Sequence, residues 1–102
     1  MYTLPDTYDK SAEMHIINAL TPIILGTVEG CIVDIGIGST TDLLANHAKK
    51  YNRKQYSVDS SYTRCELARD PAITHKNHII YHGNSAVFIQ EFDDQPALIL
   101  LD

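Results

Sequence analysis

The chain has 102 residues, 44% of them hydrophobic and 21% charged, with five glycines and four prolines; this is the profile of a single folded domain and excludes disordered and fibrous classes. Eight basic against thirteen acidic residues leave a formal charge of −5, which repels phosphate backbones and argues against nonspecific nucleic-acid binding. No apolar run approaches the roughly 20 residues that cross a bilayer, and Met1-Tyr2-Thr3-Leu4-Pro5-Asp6 places an acid where a secretion signal carries basic residues, so a cytoplasmic address is expected.

Residues 9–20 place Met14, Ile17 and Leu20 on one face at helical spacing. Pro22 has no N–H to donate, which predicts a kink or a restart there, with the segment ending at Gly26 or soon after. Cys31-Ile32-Val33-Asp34-Ile35, bounded by Gly30 and Gly36, reads as a strand covered on both faces. Thr41 to Tyr51 repeats Leu44, Ala48 and Tyr51 at helical spacing, with Lys49 and Lys50 in its last turn and Asn52 as C-cap. Gln55 to Asp59 is a second strand, followed by a helix capped by Ser60 or Ser61 that runs to about Arg69 before Pro71 stops it.

His78 to His82 forms a third strand, Ser85 to Phe92 a short helix, and Ala97 to Leu101 a fourth strand ending on Asp102. The order βαβαβαβ implies parallel pairing, right-handed crossovers and helices on both faces of one sheet. Two parts of a single domain are expected: a helical segment over residues 1–29 and a core over 30–102. In such sheets ligands bind beyond the carboxyl ends of the strands, here Asp34-Ile35-Gly36, Asp59-Ser60-Ser61 and His82-Gly83-Asn84-Ser85.

Strand, tight turn and helix meet in Val33-Asp34-Ile35-Gly36-Ile37-Gly38-Ser39-Thr40-Thr41. Glycines 36 and 38 permit positive φ and close approach of a ligand to the backbone. A dinucleotide fold uses a similar turn, but its third glycine is replaced here by Thr41. Asp34 beside the turn opposes a pyrophosphate and suits a cationic ligand. Asp59, ending the next strand, suits both hydroxyls of a ribose. The helix N-terminus at Ser39-Thr40-Thr41 favours a carboxylate. Together these suit a molecule with a ribose, a cationic centre and an amino-acid end.

These residues resemble the class I S-adenosylmethionine-dependent methyltransferases from about Cys31 to Asp102. Val33 to Thr41 is similar to the family's glycine-rich first motif, with Thr40 in place of its third glycine, as the O-methyltransferase-like branch tolerates. Ser57-Val58-Asp59 is similar to its ribose-binding acid, and Tyr81-His82-Gly83-Asn84-Ser85-Ala86 to its adenine-contacting turn, with Asn84 where aspartate is common. Ala97 to Asp102 resembles the apolar strand that ends in an acid beside the methyl-transfer site.

The resemblance implies a Rossmann-like α/β fold that binds S-adenosyl-L-methionine or S-adenosylhomocysteine. It gives the cofactor Asp34, Gly36, Gly38, Ser39, Thr40, Asp59, Ser60, Tyr62, Gly83, Asn84 and Ser85, and gives catalysis Asp102. The alternatives are a nucleoside-binding or S-adenosylmethionine-binding module without transferase activity and, third, a nicotinamide-dinucleotide domain. The family's sheet has about seven strands with the fourth in its middle. Residues 97–101 are therefore expected to pair with another copy of the chain or with a missing C-terminal half.

Other chemistries find less support. Both Asp34 and Asp59 also suit plain capping roles, and Asn84 an Asx-turn. His78 and His82 share a strand face but stand about 13 Å apart, too far to share an ion, so no metal is expected. No serine sits in a nucleophile elbow, and Cys31 and Cys65 are expected as reduced core thiols.

Overall fold

The computed structural model describes residues 10–101; Asp102 and the residues before Lys10 lie outside it. The elements are α1 (Lys10–Thr27), β1 (Cys31–Ile35), α2 (Ser39–Tyr51), β2 (Gln55–Asp59), α3 (Tyr62–Ala68), β3 (His78–His82), α4 (Ser85–Glu91) and β4 (Pro96–Leu101). The four strands form one parallel sheet in the order β3-β2-β1-β4. The architecture is α/β and compatible with a Rossmann-like fold, with helices on both faces.

Strand alternation sorts the core into two layers. Ile32 packs with Leu25, Leu44 and Ala48 beneath α1 and α2, joined by Leu98 and Leu100 of β4. On the opposite face, Cys31, Val33 and Val58 meet Phe88 of α4. Ile80 points to the first face, where Ile37, Cys65 and Ala68 seat α3. Both cysteines are free and buried. Burial, followed by the Asp94 charge, pushes the Cys31 thiol up to about 11, so it is an inert core group.

α1 departs from expectation in two ways. It continues as one helix through Pro22, with no restart there, and ends at Thr27, one residue after Gly26. Its inward seam is half-buried Ile17 with buried Thr21 and Leu25, while Leu20 is 50% exposed. The helix carries apolar residues on two faces, so periodicity alone could not choose between them. Around the proline, the Thr21 hydroxyl donates to the Ile17 carbonyl at 2.7 Å. The helix end is fastened from a distance: the Arg53 guanidinium donates to the carbonyls of Leu25, Val28 and Gly30 at 2.7, 3.0 and 2.8 Å, charge-assisted bonds that take up one oxygen the last helical turn leaves unpaired and two of the loop that follows it.

Two further boundaries move. α2 begins at Ser39 rather than Thr41, and β4 at Pro96, the first strand position, where a missing N–H is tolerated. Ser61 rather than Ser60 caps α3, its hydroxyl accepting from the Arg64 amide at 3.3 Å. Among the described residues, no helix is long and apolar enough to cross a membrane.

Candidate functional site

The carboxyl ends of β1, β2 and β3 enclose a crevice of 240 Å³. Ile35 and Val58 line it together with Gly36, Asp59, Ser60, Gly83 and Ser85, and Arg64 adds a cation. A neighbouring hollow of 360 Å³ lies between the start of α2 and α3, lined by Gly38, Ser39, Thr41 and Asp42 on one side and Leu67 and Ile73 on the other. Arg64 borders both.

The glycine turn owes its shape to internal hydrogen bonds. Gly36 takes φ 98°, a value open to glycine, and its amide donates to the Val58 carbonyl at 2.8 Å. The Ile37 amide donates to Asp59 Oδ2 at 2.9 Å. Gly38 is extended, with φ −172°, not left-handed as expected from its place in the turn. Its amide donates to Thr41 Oγ1 at 3.1 Å, a side-chain cap at the start of α2. The hydroxyl at position 41 thus holds the amide that a dinucleotide turn would offer to phosphate. Three successive turn amides are bonded within the chain, leaving none of them to cradle a pyrophosphate.

Asp59 is the structural pivot of the site. Its Oδ1 accepts from the Ser61 amide at 2.8 Å, its Oδ2 from Ile37, and the Arg64 guanidinium lies 3.9 Å away. Burial raises its pKa, but the amides of Ser61 and Ile37 and the Arg64 charge more than offset this and hold the carboxyl below its ordinary value. It is therefore ionised at neutral pH, and a carboxylate with two amide donors keeps acceptor capacity for ligand hydroxyls.

Asp34 does not join it. The two acids share a sheet face, since Asp34 pairs with Ser57 in register and Asp59 lies two residues further along β2. That offset sets Asp34 roughly 7 Å deeper. It is 1% exposed, and its Oδ2 accepts from Gln55 Nε2 at 2.8 Å and from the Ser57 hydroxyl at 3.0 Å. The expected crevice between two acids is thus replaced by one acid at the rim and one in the core, where burying a carboxyl demands partners from neighbouring strands.

The other expected residues divide. Gly36, Ser60, Gly83 and Ser85 line the first hollow, and Gly38 and Ser39 the second. Thr40 is buried and borders neither hollow. Tyr62 is 63% exposed, sets its ring against His82 at 5.8 Å and lines neither hollow. Asn84 caps α4, its Oδ1 accepting from the amides of Ala86 and Val87 at 2.7 and 3.4 Å, the Asx role weighed against adenine contact. Asp102 lies outside the described residues. Arg64 went unnoticed in the sequence; its position three residues after the Ser61 cap is the only signal that turns it toward the first helical turn.

Behind the site runs a buried polar row. The Ser57 hydroxyl donates to Asp34, so the 2.7 Å contact with His78 Nε2 makes that nitrogen a donor and fixes the tautomer. His78 Nδ1 is buried without a partner among the described residues. Burial, then the neighbouring His75, pushes the His78 pKa down to about 4. Between there and the usual 6.5 the unfolded chain binds a proton that the folded chain refuses, so stability is lost as pH falls through that window. The loss is on the order of 2 kcal/mol after discounting for partial exposure. Urea titrations at pH 7 and 4.5 should show it, and His78→Phe should flatten the dependence; an equal slope in the variant would exclude His78 as its source.

No family model, curated protein or solved structure matches this chain.

Proposed function

We propose that this chain is the cofactor-binding portion of an S-adenosylmethionine-dependent methyltransferase acting on an acceptor yet to be identified. The observation that supports the reading is the gathering of Gly36, Asp59, Ser60, Gly83 and Ser85 around one crevice at the carboxyl ends of β1, β2 and β3. The nucleoside half of the cofactor fits this donor set: Asp59 offers acceptors to ribose hydroxyls, and the turn from Gly83 to Ser85 borders the place for the base. The amino-acid end fits less completely, because Asp34 is held by Gln55 and Ser57 and does not reach the crevice. The hollow at the start of α2, with Ser39 and Arg64 on its walls, is the place for the carboxylate.

When bound, the cofactor supplies an electrophilic methyl on its sulfonium. The chain's own residues hold and orient that group, so catalysis is chiefly proximity and alignment. Calorimetry with S-adenosylhomocysteine, adenosine and NAD tests the reading. The first two should bind, and NAD should not, since the turn amides are taken. Asp59→Ala should weaken S-adenosylhomocysteine by about 1 to 3 kcal/mol, roughly 5- to 150-fold, in protein confirmed as folded by circular dichroism. Binding of NAD alone, or unaltered affinity in the variant, would remove the assignment. Methyl transfer to small phenols, amines or nucleic acid separates an enzyme from a binding module.

The reading extends to assembly. β4 is an edge strand without a charged residue, and Ile99 and Leu101 are exposed on it; such an edge invites another strand. Association through residues 97–101 should appear in sedimentation at tens of micromolar and vanish on Ile99→Lys. A monomer throughout that range would exclude it.

A further inference from the structure

At the amino ends of β2 and β3, away from the Asp59 crevice, lies a hollow of 430 Å³, larger than either cavity at the carboxyl ends. Its walls come from the end of α2 and the segment joining α3 to β3. Lys49, Asn52, Thr74, His75, Lys76 and Asn77 line it, and no carboxylate does. In a chain of net charge −5 this is a local reversal of sign. Among the described residues, the ion pairs involve Lys54, Arg64 and Arg69 and leave Lys49 and Lys76 without an acidic partner.

The hollow is furnished with donors. Asn52 accepts with its Oδ1 from Asn77 Nδ2 at 3.2 Å, which keeps its own two N–H groups for other partners. The carbonyls of Ala48 and Lys49 near the end of α2 accept from the amides of Asn52 and Arg53, which takes up two of the helix-end oxygens that would otherwise repel an anion.

His75 completes the wall, and its chemistry follows from the buried row. Gln55 Nε2 donates to Asp34, which leaves Gln55 Oε1 to accept, so the 2.9 Å contact puts the proton of a neutral His75 on Nε2. Protonation then adds a second donor at Nδ1. The groups facing this ring are Lys49 from α2, His78 of β3 stacked at 4.9 Å, Lys76 beside it, and, through Gln55 of β2, Asp34 of β1. Burial and then the Lys49 charge hold the His75 pKa below its ordinary value, and an anion beside the ring would offset the Lys49 charge and favour the protonated form.

We propose that this hollow binds a small phosphorylated compound through its oxyanion, held by Lys49 and Lys76 and gripped harder when His75 is protonated. The volume falls within the range of small-molecule sites. The acidic surface elsewhere repels a long polyanion, which favours a small ligand over a nucleic acid.

Pyrophosphate is the probe, titrated into the whole chain by calorimetry and by amide NMR at pH 6 and pH 8. Shifts should centre on Lys49, Asn52 and His75 to Asn77, and the ratio of the parent's affinity to that of His75→Gln should be at least fivefold larger at pH 6 than at pH 8, a comparison in which the probe's own protonation cancels. Lys49→Gln combined with Lys76→Gln, two exposed changes that leave the core intact, should weaken binding at least tenfold at both. Four results would overturn the site: no binding at millimolar pyrophosphate, shifts centred on Gly36 to Thr41 instead, an unaltered pH dependence in His75→Gln, or tighter binding of a single-stranded oligonucleotide than of pyrophosphate.

Discussion

Asp34→Ala is expected to lower the unfolding free energy by about 3 kcal/mol and, on the proposed cofactor reading, to leave the affinity of the folded protein for S-adenosylhomocysteine within twofold. The stability loss follows from what the side chain holds: Gln55 Nε2 and the Ser57 hydroxyl, both on residues with no exposed surface, donate to its Oδ2. Removing the acceptor strands two buried donors, each costing about 1 to 3 kcal/mol. It also releases Ser57 from orienting His78. The unchanged affinity follows from depth, since Asp34 borders neither hollow at the carboxyl ends. Urea unfolding and calorimetry on the same sample decide the matter. A stable variant with affinity lowered tenfold or more would return Asp34 to the ligand.

Gly30→Ala should be at least as damaging. Gly30 has φ 125°, which an L side chain rarely adopts, and an added Cβ would lie 2.5 Å from the Gln95 carbonyl oxygen and 2.8 Å from the Ala97 nitrogen. Both are backbone atoms at the start of β4 and neither can swing aside. The same Gln95 oxygen accepts from the Cys31 amide at 2.9 Å, so relieving the clash pulls β4 from β1 where their pairing begins. Backbone strain and overpacking together amount to about 3 to 5 kcal/mol. Against a typical total of about 5 to 15 kcal/mol, that moves the midpoint of thermal unfolding down by on the order of 15 °C or more. A midpoint within a few degrees of the parent would show that β1 and β4 do not abut there.

β1, β3 and β4 were legible as short runs built around β-branched or apolar residues and β2 as an alternating one, and their parallel pairing followed from the intervening helices. Asp59 was legible as a rim residue because it closes its strand. Asp34 was not, because its partners lie on another strand and become neighbours only once the register sets it beside Ser57. The alternation of Gln55 and Ser57 with Tyr56 and Val58 did carry a signal: polar groups on one face of a covered strand must find a buried acceptor. Of the face expected for α1, Ile17 packs on the core but Leu20 does not, because Leu20 belongs with Ile16 and Ile23 to an exposed apolar stripe as regular as the inward one. The hollow beside His75 lies at the end of the sheet that strand-end reasoning passes over.

The bonding of Gly36, Ile37 and Gly38 within the chain has a kinetic consequence. A loop whose amides are already committed has little freedom left to surrender when a small molecule arrives, so the entropic penalty of ordering it is small. Arrival and docking then merge into one bimolecular event, and the observed relaxation rate climbs in proportion to ligand concentration without reaching a plateau.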